Sequence, residues 1–126
     1  MVAKYLLDTN PIIDFLNGRL PASGKDFIAA IEPTISVISH IELLSNKNIP
    51  TQEWDQLLAF IQIAVIYSLE SSIVAQSIIL RQSHKLKTPD AIIAATALTH
   101  NFTLITRNLS DFKNIPGLVV IDPYAL

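Results

Sequence analysis

Asp8, Glu42, Asp90 and Asp111 are the side chains of this sequence best suited to act together, and each stands at or just before an expected helix start. Asp90 lies in the stretch KTPDAIIAATAL, residues 87–98. Thr88 is expected to be an N-cap, because its side-chain oxygen can accept from a free backbone N–H. Pro89 would take the first helical position, where a missing N–H costs little, and Asp90 the first turn, where the helix dipole favours an anion. The rest of the stretch is apolar on almost every face, which predicts a buried rod with one carboxylate at its mouth. Each acid also has an ordinary structural reading. Glu42 matches a Ser-x-x-Glu capping box with Ser39, while Asp90 and Asp111 suit the positive end of a helix, each worth on the order of 0.5–1 kcal/mol. Asp8 is harder to explain this way, because a carboxylate after a buried strand is rarely left unpaired. Crowded at one edge, these groups would repel and raise each other's pKa values. A divalent cation is the natural neutraliser. Oxygen-only donors select Mg²⁺ or Mn²⁺ over Zn²⁺, and Mg²⁺ so held keeps waters and open positions suited to phosphodiester hydrolysis.

Whether the acids meet depends on the elements that carry them. Residues 2–7 form a short apolar run ending at Asp8 and read as a buried strand. Asn10 is expected to cap the next helix, with Pro11 at its first position and Asn17-Gly18 at its end. Residues 21–24 read as a loop, residues 25–31 as a short helix and residues 34–38 as the second strand. The Ser39 box opens a helix ending near residues 46–48. A further helix begins at Pro50-Thr51, with Trp54, Leu57, Leu58 and Ile61 as its apolar stripe. Residues 63–67 are the third strand, and residues 71–83 a long helix with Ile73, Val74, Ile78 and Ile79 inward. Residues 102–106 form the fourth strand, Asn108 caps a turn of helix that contains Asp111, and residues 118–121 form a fifth strand. This alternation implies right-handed crossovers and a doubly wound parallel sheet of four to five strands, an α/β/α sandwich. Ligands of such sheets sit outside the carboxyl ends of the strands, where Asp8, Glu42 and Asp111 are expected. Asp90 joins them if its helix starts at the same edge. The sequence does not say how the preceding helix returns the chain there.

With 126 residues, half of them apolar, the chain suits one domain, residues 1–126, with a substantial core. No apolar run is long enough to span a membrane, and MVAKYLLDTN reads as a strand rather than a signal peptide. The absence of cysteine removes disulfide frameworks and thiolate sites and fits a reducing cytosol. A net charge of −2 argues against a generally basic nucleic-acid surface and leaves room only for local patches. One such patch is Arg81, Lys85 and Lys87, with His84, near the proposed mouth; it is either a solvated helix end or a contact for nucleic-acid phosphates. The three histidines are scattered, G-x-S-x-G is absent, and three glycines provide no phosphate-cradling loop.

LLDTN, the S-x-x-E-L at Ser39–Leu43, TPDAIIAATAL and the L-I-T-R-N-x-x-D-F of residues 104–112 together resemble the PIN domain, and within it the VapC-like toxin ribonucleases. The likeness runs from about Tyr5 to Asp122. It implies a Mg²⁺- or Mn²⁺-dependent endoribonuclease of the cytoplasm, forming a homodimer and controlled by a cognate antitoxin. By motif, Asp8, Glu42 and Asp90 match the family's metal-binding acids. The family's fourth acidic position is Asn108 here, with Asp111 one helical turn on. Either can complete the site, or three carboxylates can serve alone. Thr9, Ser39 and Thr106 are expected to hold the ligating carboxylates through their hydroxyls. The helix opened at Ser39 and the next one, carrying Trp54, should form a hairpin, and a groove between these two helices would suit an amphipathic antitoxin helix. Two other functions fit the same residues: a catalytically weakened PIN-like binding module, and a non-toxin nuclease of RNA processing.

Overall fold

Neighbouring residues of each strand serve opposite faces of one sheet. In β1 (Tyr5–Leu7), Leu6 and Leu7 are both buried but belong to separate cores. Leu104 and Ile105 of β4 (Thr103–Ile105) divide the same way. This is the pattern of a sheet covered on both sides. The computed structural model describes residues 4–126, so Val2 and Ala3 of the first expected strand lie outside the described residues. Five parallel strands pair in the order β3-β2-β1-β4-β5. With β2 (Thr34–Ser36), β3 (Val65–Tyr67) and β5 (Val120–Ile121), this is the expected doubly wound α/β architecture.

The first core lies between the sheet and a helical pair, α5 (Ser71–Ser83) and α6 (Thr88–His100). Residues 91–97 of α6 are all buried, as its all-round apolarity predicts. The second core is closed by α1 (Thr9–Leu16), α2 (Ala22–Ala30), α3 (Val37–Leu44) and α4 (Thr51–Ile63). A single turn, α7 (Leu109–Phe112), plugs the sheet end with the fully buried Phe112.

Several helix starts differ from expectation because a residue upstream takes the capping position. Lys87, not Thr88, is the extended cap of α6, and its carbonyl accepts from the Ala91 N–H at 3.0 Å. Asp8, not Asn10, caps α1, its Oδ1 accepting from the Thr9 N–H at 2.8 Å. Ser36, not Ser39, caps α3, its Oγ accepting from the Ile38 N–H at 3.1 Å, so β2 ends two residues early. Residues 22–24 are helix rather than loop, because Pro21 opens α2. Ile63 ends α4 exposed to solvent instead of starting β3. Within α4, Leu57 and Phe60 are buried whereas Leu58 is exposed, a rotation from the expected stripe.

The face of α5 is also corrected. Ile73, Ser77 and Leu80 point inward, while Val74, Ile78 and Ile79 are 39 %, 54 % and 52 % exposed. Apolar residues surround this helix, so periodicity cannot select its buried side. The return of the chain to the carboxyl edge now has a physical account. Glu70, the N-cap of α5, lies 3.7 Å from His100, the last residue of α6. The two helices are therefore an antiparallel hairpin, and residues 84–87 between them sit at the edge where Asp90 begins its helix. Arg81 Nε pins that connection by donating to the Leu86 carbonyl at 3.1 Å.

Candidate active site

Asp8 is one residue beyond β1 and Thr106 one residue beyond β4, which places them side by side because Leu7 pairs with Ile105. The buried Thr106 hydroxyl donates to Asp8 Oδ2 at 2.8 Å, and Thr106 Oγ1 accepts from the Asn108 N–H at 3.0 Å. Asp8 is thus held at both carboxylate oxygens. Ser39, freed from capping, is fully buried and its Oγ lies 2.9 Å from Thr9 Oγ1. Thr9 Oγ1 donates to Glu42 Oε1 at 2.6 Å. Glu42 is therefore not half of a capping box. It projects from the last turn of α3 and is tied to the start of α1, next to Asp8.

The acids feel one another. Burial raises the pKa of Asp8 above the usual carboxylate range; the Thr106 and Thr9 hydrogen bonds oppose this, and the Glu42 charge adds to it. Asp90 is raised by burial first, then by the charges of Asp8, Asp111 and Glu42, with Lys87 opposing. So four acids from four separate segments lie within electrostatic reach, as the parallel sheet requires. Among the described residues, no three His, Cys, Asp or Glu side chains cage an ion by themselves. An open all-oxygen cluster suits a cation that retains much of its water, the habit of Mg²⁺, and gives thiophilic or imidazole-seeking metals nothing they prefer.

Asn108 and Asp111 meet directly: Asn108 Nδ2 donates to Asp111 Oδ2 at 2.6 Å, and Asn108 Oδ1 accepts from Ser110 Oγ at 3.3 Å. Asn108 stands at the N-cap position of α7 but forms no side-chain cap. Arg81, Lys85 and Lys87 line a cleft of about 720 Å³ together with Asp90, Asn108 and Asp111. A second cleft, of about 290 Å³, is lined by Asp8, Asn10, Thr106, Arg107 and Asn108. Of the residues on this second cleft, sequence reasoning assigned no role to Arg107, nor to Tyr124 against which it packs. The Arg107 guanidinium carbon lies 4.6 Å from the Tyr124 ring centroid, and the Tyr124 hydroxyl donates to Asp14 of α1. Burial first, and then that bond, push the Tyr124 pKa upward, so the phenol remains a donor. The only local hint is an aromatic residue just after the Asp122-Pro123 stop.

Thr106→Val is expected to cost about 2–3 kcal/mol of stability, since it removes the donor to Asp8 and the acceptor for the Asn108 N–H. It should also weaken any Mn²⁺ binding by the acidic cluster roughly 10–100-fold, because the orientation of the Asp8 carboxylate is lost. Thermal unfolding and calorimetric titration measure the two effects. Unchanged Mn²⁺ affinity would remove Thr106 from the site.

The PIN domain family matches residues 5–118. Ribonuclease VapC1 of Rickettsia felis is 30 % identical over 130 residues, covering 92 % of this chain and 93 % of that protein. Among solved structures, a toxin–antitoxin complex from Klebsiella pneumoniae contains a chain 36 % identical to this one, covering 96 % of this chain and 98 % of its own length, with a TM-score of 0.75. VapBC2 from Rickettsia felis, bound to a DNA fragment from its promoter, contains a chain 25 % identical over 93 % of this chain and 96 % of its own, with a TM-score of 0.77.

Proposed function

From the premise that this chain belongs to the PIN domain family, we propose that it is a metal-dependent endoribonuclease, the toxin of a toxin–antitoxin pair. The observation that carries this reading is the gathering of Asp8, Glu42, Asp90 and Asp111 at the carboxyl edge of the sheet, where burial first and then the charges of the other three raise the pKa of Asp90. Mg²⁺ or Mn²⁺ bound there would supply a Lewis acid and an activated water for phosphodiester hydrolysis. The protein's own part is to hold the donors. Thr106 and the Thr9 N–H orient Asp8, Thr9 Oγ1 orients Glu42, and the α6 N-terminus presents Asp90. Arg81, Lys85 and Lys87 offer cations to phosphates entering the larger cleft.

Asp111 is the fourth ligand in this reading, and Asn108 is its clamp. The amide donates to the Asp111 carboxylate and is engaged by Ser110 on its other side, whereas the Asp111 charge reaches Asp90. The test is cleavage of single-stranded RNA by the purified chain with Mn²⁺ and with EDTA. Mn²⁺-dependent cleavage is expected. Asp111→Asn should reduce it about as much as Asp90→Asn does, and Asn108→Ala by less. Metal binding without any cleavage would favour the weakened binding module. Equal activity in Asp111→Asn and the unsubstituted chain would return the fourth position to Asn108 or to no residue at all.

Partners follow from the same reading. An antitoxin helix fits a groove of about 220 Å³ between α1 and the α3–α4 hairpin, lined by Ile13, Leu16, Ile49 and Leu57. Glu42 and Arg19 also line it, so an occupant reaches the acidic cluster directly. The homodimer we assign to the outward face of α5. There Leu69, Val74, Ile78 and Ile92 line an apolar groove of about 250 Å³ that a second copy would cover. No described helix is long and apolar enough to cross a membrane, and the proposed location is the cytoplasm, where RNA is cut.

A further inference from the structure

Arg107 is an exposed cation held in place by an aromatic ring, and among the described residues no acid pairs with it. It directly follows the fully buried Thr106, whose hydroxyl is on Asp8, so its backbone is anchored one residue from the acidic cluster. Its guanidinium carbon sits 4.6 Å from the Tyr124 ring centroid. Tyr124 is fixed in turn: its hydroxyl donates to Asp14, and its N–H donates to Asp122 Oδ1 at 2.9 Å. A cation–π contact uses the charge of the guanidinium and leaves its N–H donors free. Among the described residues the one ion pair is His100–Glu70, and no side-chain hydrogen bond involves Arg107. The guanidinium therefore keeps its fork of donors beside a cleft shared with Asp8, Asn10 and Asn108.

An acidic cluster repels a polyanion, so a strand crossing it needs cations on both approaches. Arg81, Lys85 and Lys87 supply one bank, in the cleft that holds Asp90 and Asp111. Arg107 is the cation lining the cleft that holds Asp8, and Asn108 borders both. We propose that Arg107 binds a backbone phosphate of the RNA strand flanking the cut, with Tyr124 as the platform that positions its guanidinium. A planar fork matches phosphate through two parallel hydrogen bonds, and a lysine cannot reproduce that. The inference rests on the ribonuclease reading above and extends it: the strand runs from the α5–α6 connection, over the acids, to the β4–α7 loop. Tyr124 is a positioning residue here, since it acts through Arg107.

The test is binding of a fluorescent single-stranded RNA oligonucleotide to the full chain in EDTA, over a range of salt concentrations, followed by Mn²⁺-dependent cleavage kinetics. Arg107→Gln should weaken binding about tenfold and lower the slope of log affinity against log salt by roughly 0.7, the loss of one phosphate contact on a single strand. Arg107→Lys should keep the slope and recover only part of the affinity. Tyr124→Leu should weaken binding about threefold without changing the slope, while Tyr124→Phe, which keeps the ring, should lie closer to the unsubstituted chain. With Mn²⁺, the Arg107→Gln defect should fall mainly on KM. An unsubstituted chain that binds and cleaves RNA, beside an Arg107→Gln variant of equal affinity and equal slope, overturns the inference alone. A chain that neither binds nor cleaves RNA overturns the ribonuclease reading, and this one with it.

Discussion

Asp90→Asn should lower Mn²⁺-stimulated RNA cleavage by about 10³-fold and, in EDTA at neutral pH, should raise the melting temperature. The two halves of this expectation have one cause. Burial and the charges of Asp8, Asp111 and Glu42 act on Asp90 and outweigh the opposing charge of Lys87. Its folded pKa therefore lies above the ordinary value of 3.8. A carboxyl group shifted upward binds its proton more tightly in the folded state than in the unfolded one. Stability of the metal-free protein then falls as pH rises from 3.8 through the raised value, and the cost is fully present above it. An asparagine never acquires that charge. Its advantage is complete at neutral pH and disappears below 3.8. Against it stands the loss of an anion from the first turn of α6, about 0.5 kcal/mol. Burial and three neighbouring charges outweigh that. Saturating Mn²⁺ reverses the order, because the unsubstituted chain gains about 2.7 kcal/mol at a metal concentration 100 times Kd and the variant gains little.

Asp8→Asn should be as inactive but nearly neutral in stability. Asparagine is as good an N-cap as aspartate, and its Oδ1 can still accept from the Thr9 N–H. The Thr106 hydroxyl must turn to accept where it had donated. A variant of either acid that melts lower in EDTA and still cleaves RNA would show that the acids are helix-start residues after all.

How far this site could be read from sequence depended on the range of the forces that make it. Leu6-Leu7 and Leu104-Ile105 are apolar on both sheet faces, which is legible as parallel and buried, and a parallel sheet sends Asp8 to its carboxyl edge by topology alone. The approach of Asp90 was not legible, since it depends on α5 and α6 lying antiparallel, and neither the HKLKT connection nor α5, whose apolar residues are spread around the helix among polar ones, encodes a direction. Capping was misread by one to three residues wherever several polar side chains competed. Ser36 and Ser39 are both competent caps. The burial of Ser39 against Thr9, across 30 residues of chain, decides between them and turns Glu42 from a capping partner into a member of the acidic cluster. The contact of Tyr124 with Asp14 spans 110 residues, and no local pattern signals it.

The same C-terminal tail makes α2 unusually sensitive, because Pro123 packs on Gly24. Gly24→Ala is expected to destabilise the protein by about 2–3 kcal/mol, the cost of overpacking a site that cannot relax easily. An added Cβ would stand 1.9 Å from the Pro123 carbonyl oxygen and 3.0 Å from its carbon. The obstacle is backbone, so no side-chain rotation relieves it, and Pro123 is buried. The tail must lift from α2, drawing Tyr124 from Asp14 and from Arg107. Gly18 supplies the contrast. Nothing lies within 4 Å of its Cβ direction, but its φ of +69° is left-handed. Gly18→Ala should therefore cost only the backbone strain, about 1 kcal/mol. Thermal unfolding should place Gly24→Ala about 10 °C below the unsubstituted chain. In a chain ending at Asp122 the same substitution should have almost no effect, because its obstacle is gone. Equal losses with and without the tail would locate the strain inside α2 itself, and no loss in either would mean that Pro123 does not pack on Gly24.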